Sequence, residues 1–460
     1  MASELDPKVG RLRLVLDPDP AGGGAIIPSE AFIADRFIST RPDIQFPLDT
    51  TPRTNRIARV FGLADDRVLN FADPPNASSE SQLLSSIRRS ASQLFSTPSA
   101  AHPSSSLSNL ARKKQFVLAL DGPGVPQDPW ASPLSWSQKN AIAVACGTDV
   151  YHQNLDTRSI SHLCSFSKPA LGRIRALAFA VEGRSDLLCM GTTTGCVQVW
   201  DADAGKRLRT WPNRDWMGVS AMSWRGREFV IGRNDGRVSM FDVRTSDEIY
   251  KFRAHRGDVL GLQWSPDQRY LLSSDNVGSV SLWDARKMTT RVGKMAHEGP
   301  VKALAWCPWK ADLFATAGTY PDDTIQIRST ASFSETLCPD SVRTIETSTS
   351  VYSLHWSPHC RELLSTHGQA WTKADRVRTE HSPARSPMAN SVTVHAYPTG
   401  KRLVSVPAHS GVVSQSCLGP DGTAVFTICY REEAMKMWKV WAPGDHGERK
   451  ESPFAKFNLR

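Results

Sequence analysis

Residues 261–288 read GLQWSPDQRYLLSSDNVGSVSLWDARKM. The first half runs apolar-x-Trp, a small residue, proline, a polar turn and then an apolar run. The second half passes a turn of Asp, Asn and Gly and closes on Val-Ser-Leu-Trp-Asp. The first frame recurs as ALAWCPWKADLFAT (303–316) and SLHWSPHCRELLST (353–366). The second recurs as VQVWDADAG (197–205) and VSMFDVRTS (238–246), so that endings fall about every 40 residues. Between units stand AHRGDV (254–259), AHEGPV (296–301) and AHSGVV (408–413). Short apolar runs cut by Gly, Pro and Asp turns at this spacing read as strands.

This is the WD-repeat pattern, in which each unit folds as a four-stranded blade. The frames centre near Trp136, Leu177, Trp224, Trp264, Trp306, Trp356 and Ser416, which makes seven units. A closed ring of blades leaves no free sheet edge to manage. The expected fold is therefore all-β, a seven-bladed WD-repeat β-propeller over 116–442. Within a unit, the turn His, a Ser/Thr and the Trp can share a hydrogen-bond chain, with an Asp capping the turn. In the fourth unit these are His255, Asp275 and Trp283. The same reading gives His255, His297 and His409 structural rather than catalytic or metal-binding roles. A polar, proline-containing insertion at 370–389 in the sixth unit reads as a surface loop.

Ahead of the repeats, residues 1–115 are rich in Ser, Pro and Ala. The run PPNASSESQLLSSIRRSASQLFSTPSAAHPSSS (74–105) has too little apolar surface to offset its ordering entropy. A largely disordered N-terminal region with short ordered islands is expected. One island is helical, at 56–71, where Ile57, Val60, Phe61 and Leu63 share a face. Residues 443–460 form a C-terminal tail.

The composition excludes several function classes. Lys and Arg number 55 against 46 Asp and Glu, a formal charge of +9. That excess is modest for 460 residues, and no basic run is interleaved with stacking aromatics, so no nucleic-acid groove is expected. Nine cysteines lack metal-ligand spacing and read as reduced thiols. No signal peptide or membrane span is seen. Phosphate-loop, nucleophile-elbow, zinc-protease and dinucleotide motifs are all absent. The expectation is a non-catalytic protein of the nucleus and cytoplasm, without cofactor or metal.

The stretches FVLALDGPGVPQDPWASPLSWSQKNAIAVACGTDVYHQN (116–154), VKALAWCPWKADLFATAGTYPDDTIQI (301–327) and VYSLHWSPHCRELLSTHG (351–368) resemble the Fizzy / Fizzy-related family. Its members activate the anaphase-promoting complex, a ubiquitin ligase, and serve as its substrate receptors. The resemblance extends to DRFISTR (35–41), similar to the family's C-box, Asp-Arg-(Tyr/Phe)-Ile-Pro-x-Arg. Asp35, Arg36, Phe37, Ile38 and Arg41 match, and Ser39 replaces the proline. The resemblance implies that both arginines pair with acidic groups of the ligase while Phe37 and Ile38 enter apolar pockets. Arg67, Val68 and Leu69 look like a second, weaker ligase contact. Leu459 and Arg460 resemble the family's terminal Ile-Arg anchor, which TPR subunits of the ligase capture.

Receptors of this family bind destruction-box peptides, Arg-x-x-Leu, between the first and last blades. Their acidic contacts fall on Asp121 and Glu433, two carboxylates able to clamp one guanidinium. The KEN-box site is depleted. Only Asn276 of its polar residues remains; Gly278, Ser350 and Val412 stand where the family has Asn, Gln and Arg. The resemblance thus implies an activator of the anaphase-promoting complex that takes destruction-box substrates such as cyclins or securin-like proteins, in a divergent fungal or meiosis-specific form. The alternative is a WD-repeat scaffold or pseudo-activator that no longer activates the ligase.

Overall fold

The computed structural model describes residues 103–443 except 167, 182, 184–185, 213–215, 289, 334–342 and 372–385. After a four-residue helix, α1 (Leu110–Lys113), and β1 (Leu118–Asp121), the chain builds seven four-stranded antiparallel sheets. Blade one is β2–β5 (Leu134–Trp136, Ala141–Cys146, Asp149–Asn154, Ile160–Ser165). Blade two is β6–β9 (Ile174–Phe179, Leu187–Thr192, Val197–Asp201, Lys206–Trp211) and blade three β10–β13 (Val219–Arg225, Glu228–Arg233, Arg237–Asp242, Glu248–Arg253). Blade four is β14–β17 (Val259–Trp264, Tyr270–Asp275, Ser279–Asp284, Arg291–Ala296) and blade five β18–β21 (Val301–Trp306, Leu313–Gly318, Thr324–Ser329, Arg343–Glu346). Blade six is β22–β25 (Thr349–Trp356, Glu362–Ala370, Ser391–Ala396, Arg402–Pro407). Blade seven takes three strands from the end of the repeats, β26–β28 (Gln415–Leu418, Ala424–Cys429, Ala434–Lys439), and its outermost from the start, β1. That shared sheet, with Leu118 opposite Met437 and Asp121 opposite Ala434, closes the ring.

The burial of the strands explains their composition. Second strands such as β3, β7 and β19 are buried at all six positions, because a neighbouring blade covers each face. Their sequences are continuous apolar runs. Outer strands such as β9 (KRLRTW) are mostly exposed and carry the charges. Among the described residues the core divides into seven clusters, one in each seam between adjacent blades. The seam of blades two and three, for example, stacks Trp211, Trp224, Phe229 and Phe241, and that of blades seven and one packs Val125, Leu134 and Ile142 on Phe426 and Met435.

The blade locks follow the repeat in blade four. His255 Nδ1 bonds Asp275 at 3.0 Å, its Nε2 bonds Ser273 Oγ at 2.7 Å, and Trp283 Nε1 donates to the same hydroxyl at 2.8 Å. In blade seven His409, Thr427 and Trp438 repeat this, with Glu432 in place of the aspartate. His409, Cys429 and Glu432 lie close enough together to suggest metal ligands. However, the Lys436 ammonium, 2.9 Å from Glu432, already supplies the positive charge there. In blade five His297 bonds Asp322 and Thr316, but Arg328 stands at the tryptophan position.

Blade six inverts the scheme. His367 occupies the position of Asp275 and bonds Thr349 Oγ1 at 2.7 Å and Ser365 Oγ at 2.8 Å, while His395 stands in place of the tryptophan. Together with the half-buried His355, which bonds Ser416 Oγ at 2.9 Å, the buried His367 and His395 give this blade three imidazoles with little access to water. Burial pushes them down, to about 3 for His367 and about 4 for His355 and His395. A depressed imidazole is neutral in the fold and takes up its proton on unfolding. Stability is therefore complete above the unfolded pKa of about 6.5 and is lost as pH falls toward the folded values. The unfolding midpoint by calorimetry should drop steadily between about pH 6.5 and 4, and His355→Gln should flatten that slope. A midpoint unchanged over this range would contradict the neutral assignment.

Residues 103–115 depart from the composition-based boundary at 116. They are ordered against the propeller because Leu110 finds an apolar seam to fill, where it is 1% exposed.

Candidate functional site

The inner strands share a deviation that shapes one end of the ring. In β6, β10, β14, β18 and β22 the ladder skips one residue near the strand's start, a β-bulge at Arg175, Ser220, Leu260, Lys302 and Tyr352. A bulged residue leaves the pairing and its side chain is re-aimed. Here a buried Val or Ile precedes each bulge and packs in the seam, while polar bulge residues meet at the mouth of the axial channel.

Residues 128–132 cross that mouth. Asp128 accepts from Arg175 Nε at 3.1 Å; Arg175 also reaches Ser220 Oγ at 2.6 Å and Asp258 at 2.9 Å. Lys302 donates to three backbone oxygens, Pro129 (3.1 Å), Ala131 (2.7 Å) and Ser414 (2.9 Å), one acceptor for each ammonium proton. Burial pushes Lys302 down to about 7, with Asp128 opposing the shift. Trp130 packs on Tyr352 with ring centroids 5.9 Å apart. Below this plug the channel is a cavity of about 500 Å³ whose wall includes Ser223, Gln263 and His355. Nothing in the repeat frame marks these mouth residues, since a bulge has no residue signature.

Asp121 and Glu433 open at the same end of the ring. Asp121 closes β1 beside Ala434, and the next amide, Gly122 N, donates to Glu433 O at 2.6 Å. Glu433 sits in the β27–β28 turn with φ +49°. Asp121 is exposed and Glu433 half-buried, and among the described residues neither carboxylate has a hydrogen-bond or ion-pair partner. The wall beside them is apolar: Val125, Cys146 and Met435 belong to the seam of blades seven and one. Burial pushes the Cys146 thiol up to about 11, with the charges of Asp149 and Glu433 adding to it. Loop 122–125 is tied to blade one by Gly147 N donating to Gly124 O at 2.6 Å. The arrangement is two unneutralised carboxylates above the packed apolar seam of blades seven and one, able to face a cation.

Asn276 lies on the same end, in the β15–β16 turn, exposed and apart from the carboxylate pair. The substituted positions around it are structurally committed. Gly278 has φ +97°, and a Cβ there would come within 2.4 Å of His297 O, so the turn excludes an asparagine unless it moves. Ser350 is buried and accepts from Tyr320 N at 3.1 Å. Val412 is 6% exposed. Asp35, Arg36, Phe37, Ile38, Arg41, Arg67, Val68, Leu69, Leu459 and Arg460, the island at 56–71 and most of the insertion at 370–389 lie outside the described residues.

A profile of the CDC20/Fizzy WD40 domain matches residues 120–438. The WD repeat-containing protein slp1 of Schizosaccharomyces pombe is 29% identical over 333 residues, 72% of this chain and 62% of that protein. Protein FIZZY-RELATED 1 of Arabidopsis thaliana is 28% identical over 334 residues, 72% of this chain and 64% of that protein. The chain therefore spans less than two thirds of the length of these relatives. Among solved structures, a chain of the crystal structure of the mitotic checkpoint complex superposes with a TM-score of 0.63 at 30% identity, covering 72% of this chain and 96% of that one.

Proposed function

Because the chain belongs to the CDC20/Fizzy family of WD40 propellers, we propose that it recognises destruction-box degrons and activates the anaphase-promoting complex toward the proteins that carry them. The observation that carries this reading is the placement of Asp121 beside Glu433 where blades seven and one meet. A guanidinium held by two carboxylates makes charge-assisted bonds, and the leucine of Arg-x-x-Leu would follow along the same blade junction. Cyclins and securin-like proteins are the proposed substrates. Catalysis would belong to the ligase, with Arg36, Arg41 and Phe37 docking the chain onto it, Arg67, Val68 and Leu69 adding a contact, and Leu459 and Arg460 engaging its TPR subunits. Action in nucleus and cytoplasm goes with that role.

The test is ubiquitination reconstituted with the purified ligase and a destruction-box substrate. The native chain should stimulate the reaction and Arg36→Ala with Arg460→Ala should abolish the stimulation. A native chain that binds the substrate yet gives no stimulation would favour the scaffold reading.

KEN recognition is proposed to be weak. A lysine and glutamate placed in that site would lack three of the four family contacts, and unpaired buried polar groups cost about 1–3 kcal/mol each. A KEN peptide titrated by fluorescence polarisation should bind at least tenfold more weakly than a destruction-box peptide. Equal affinities would refute this.

A further inference from the structure

Residues 103–113 form a clasp at the end of the ring opposite Asp121 and Glu433. Its receptor is Glu362, the first residue of β23, only 5% exposed. The Glu362 carboxylate takes the Ser105 hydroxyl on one oxygen. The other oxygen accepts from Ser106 N at 3.0 Å and from Trp441 Nε1, beyond β28, at 2.8 Å. One buried carboxylate thus joins the lead-in to the propeller, blade six and the end of blade seven. Ala442 N donates to Ser104 O at 3.3 Å. Leu110 then inserts among Val404, Val406, Trp438 and Trp441 in the seam of blades six and seven. Beyond that seam the chain turns exposed and basic, at Arg112, Lys113 and Lys114. Among the described residues, the attachments apart from Leu110 and the neighbouring Ala111 are serine or backbone groups, and α1 has a single turn. Such a segment opens locally far more readily than the ring unfolds.

We propose that this clasp is releasable and that Ser105 is a phosphorylation site whose modified form does not re-dock. In the closed state Ser105 Oγ donates its proton to a carboxylate and is buried, so the open clasp is the substrate for an ATP-dependent protein kinase. Oγ attacks the γ-phosphorus, the bond to the β,γ-bridging oxygen breaks, ADP leaves and the hydroxyl proton passes to the kinase's base. The product has lost the donor that Glu362 accepts and carries roughly −1.5 to −2 charge. Closing would bury that charge against Glu362. The consequence is a lead-in freed up to β1, while the ring stays closed through the β1–β28 pairing. This goes beyond the degron reading and does not rest on it, since Glu362 and Asp121 lie at opposite ends of the ring.

Hydrogen–deuterium exchange of peptides covering 104–114 in the full chain tests the proposal, with β10–β20 as the internal reference for folding. Ser105→Glu, and phosphoserine installed at 105, should speed exchange of the clasp at least tenfold and leave the reference strands unchanged. Ser105→Ala, which loses the bond to Glu362 without adding a charge, should speed exchange less than Ser105→Glu does, and Leu110→Ala should open the clasp independently of charge. Adding Glu362→Gln to Ser105→Glu should restore part of the protection. A Ser105→Glu clasp as protected as the native one would overturn the proposal. So would equal exchange in Ser105→Ala and Ser105→Glu, or no recovery on adding Glu362→Gln.

Discussion

Asp121→Ala combined with Glu433→Ala is expected to lower the affinity for an Arg-x-x-Leu peptide by at least 100-fold. Each hydrogen bond to a charged partner contributes about 1.5–3 kcal/mol, so losing both costs roughly 3–6 kcal/mol. Each single variant should lose about 10-fold or more, because the remaining carboxylate still faces the guanidinium. The fold should tolerate the change. Asp121 is exposed and Glu433 half-buried, and at φ +49° glutamate and alanine meet the same left-handed penalty. Fluorescence polarisation with a labelled peptide measures the affinity, and an unchanged melting temperature shows that folding is intact. Affinity within threefold of the native chain would place the arginine elsewhere on the propeller.

Lys302→Met is expected to destabilise the propeller by about 3–5 kcal/mol. The substitution keeps the aliphatic stem but leaves three carbonyl oxygens, of Pro129, Ala131 and Ser414, without the donor that the fold provides. These oxygens come from the loop that crosses the channel and from the start of blade seven, so one ammonium joins blade five to the lead-in of blade one and to blade seven. Removing a buried charge from such a site costs far more than a surface exchange, because the acceptors lose water and partner together. Urea unfolding should show the loss as a lower midpoint at unchanged slope. A loss below about 1 kcal/mol would mean that the three bonds are not held together in solution.

The two variants probe different kinds of legibility. The adjacency of Asp121 and Glu433 was expected only from the resemblance of LALDGP and YREEAMKMW to the family; spacing alone would not have joined them. Lys302 carried no signal at all. Its frame, VKALAW, reads as one more inner strand, and the bulge that turns the lysine into the channel mouth appears only in the β18–β19 register. Blade six shows the same limit from another side. Its SLHWSPHCRELLST frame identifies a blade and already sets His367 opposite Asp275 and His395 opposite Trp283, yet the bonds of His367 to Thr349 and Ser365 emerge only when the strands are paired.

What the sequence determined by itself is everything that one unit of about 40 residues can specify: strand runs, turns, the His-Ser-Trp lock of blade four and the number of blades. Each unit is stabilised against its neighbours by residues in its own frame, so the repeat is visible wherever the frame is kept. What only the tertiary structure decided is how the ring closes and what its two ends present. The pairing of β1 with β28, the plug held by Arg175 and Lys302, and the clasp on Glu362 join parts of the chain far apart in sequence. Their energy depends on groups that meet only after the blades have assembled, and no local pattern records such a meeting.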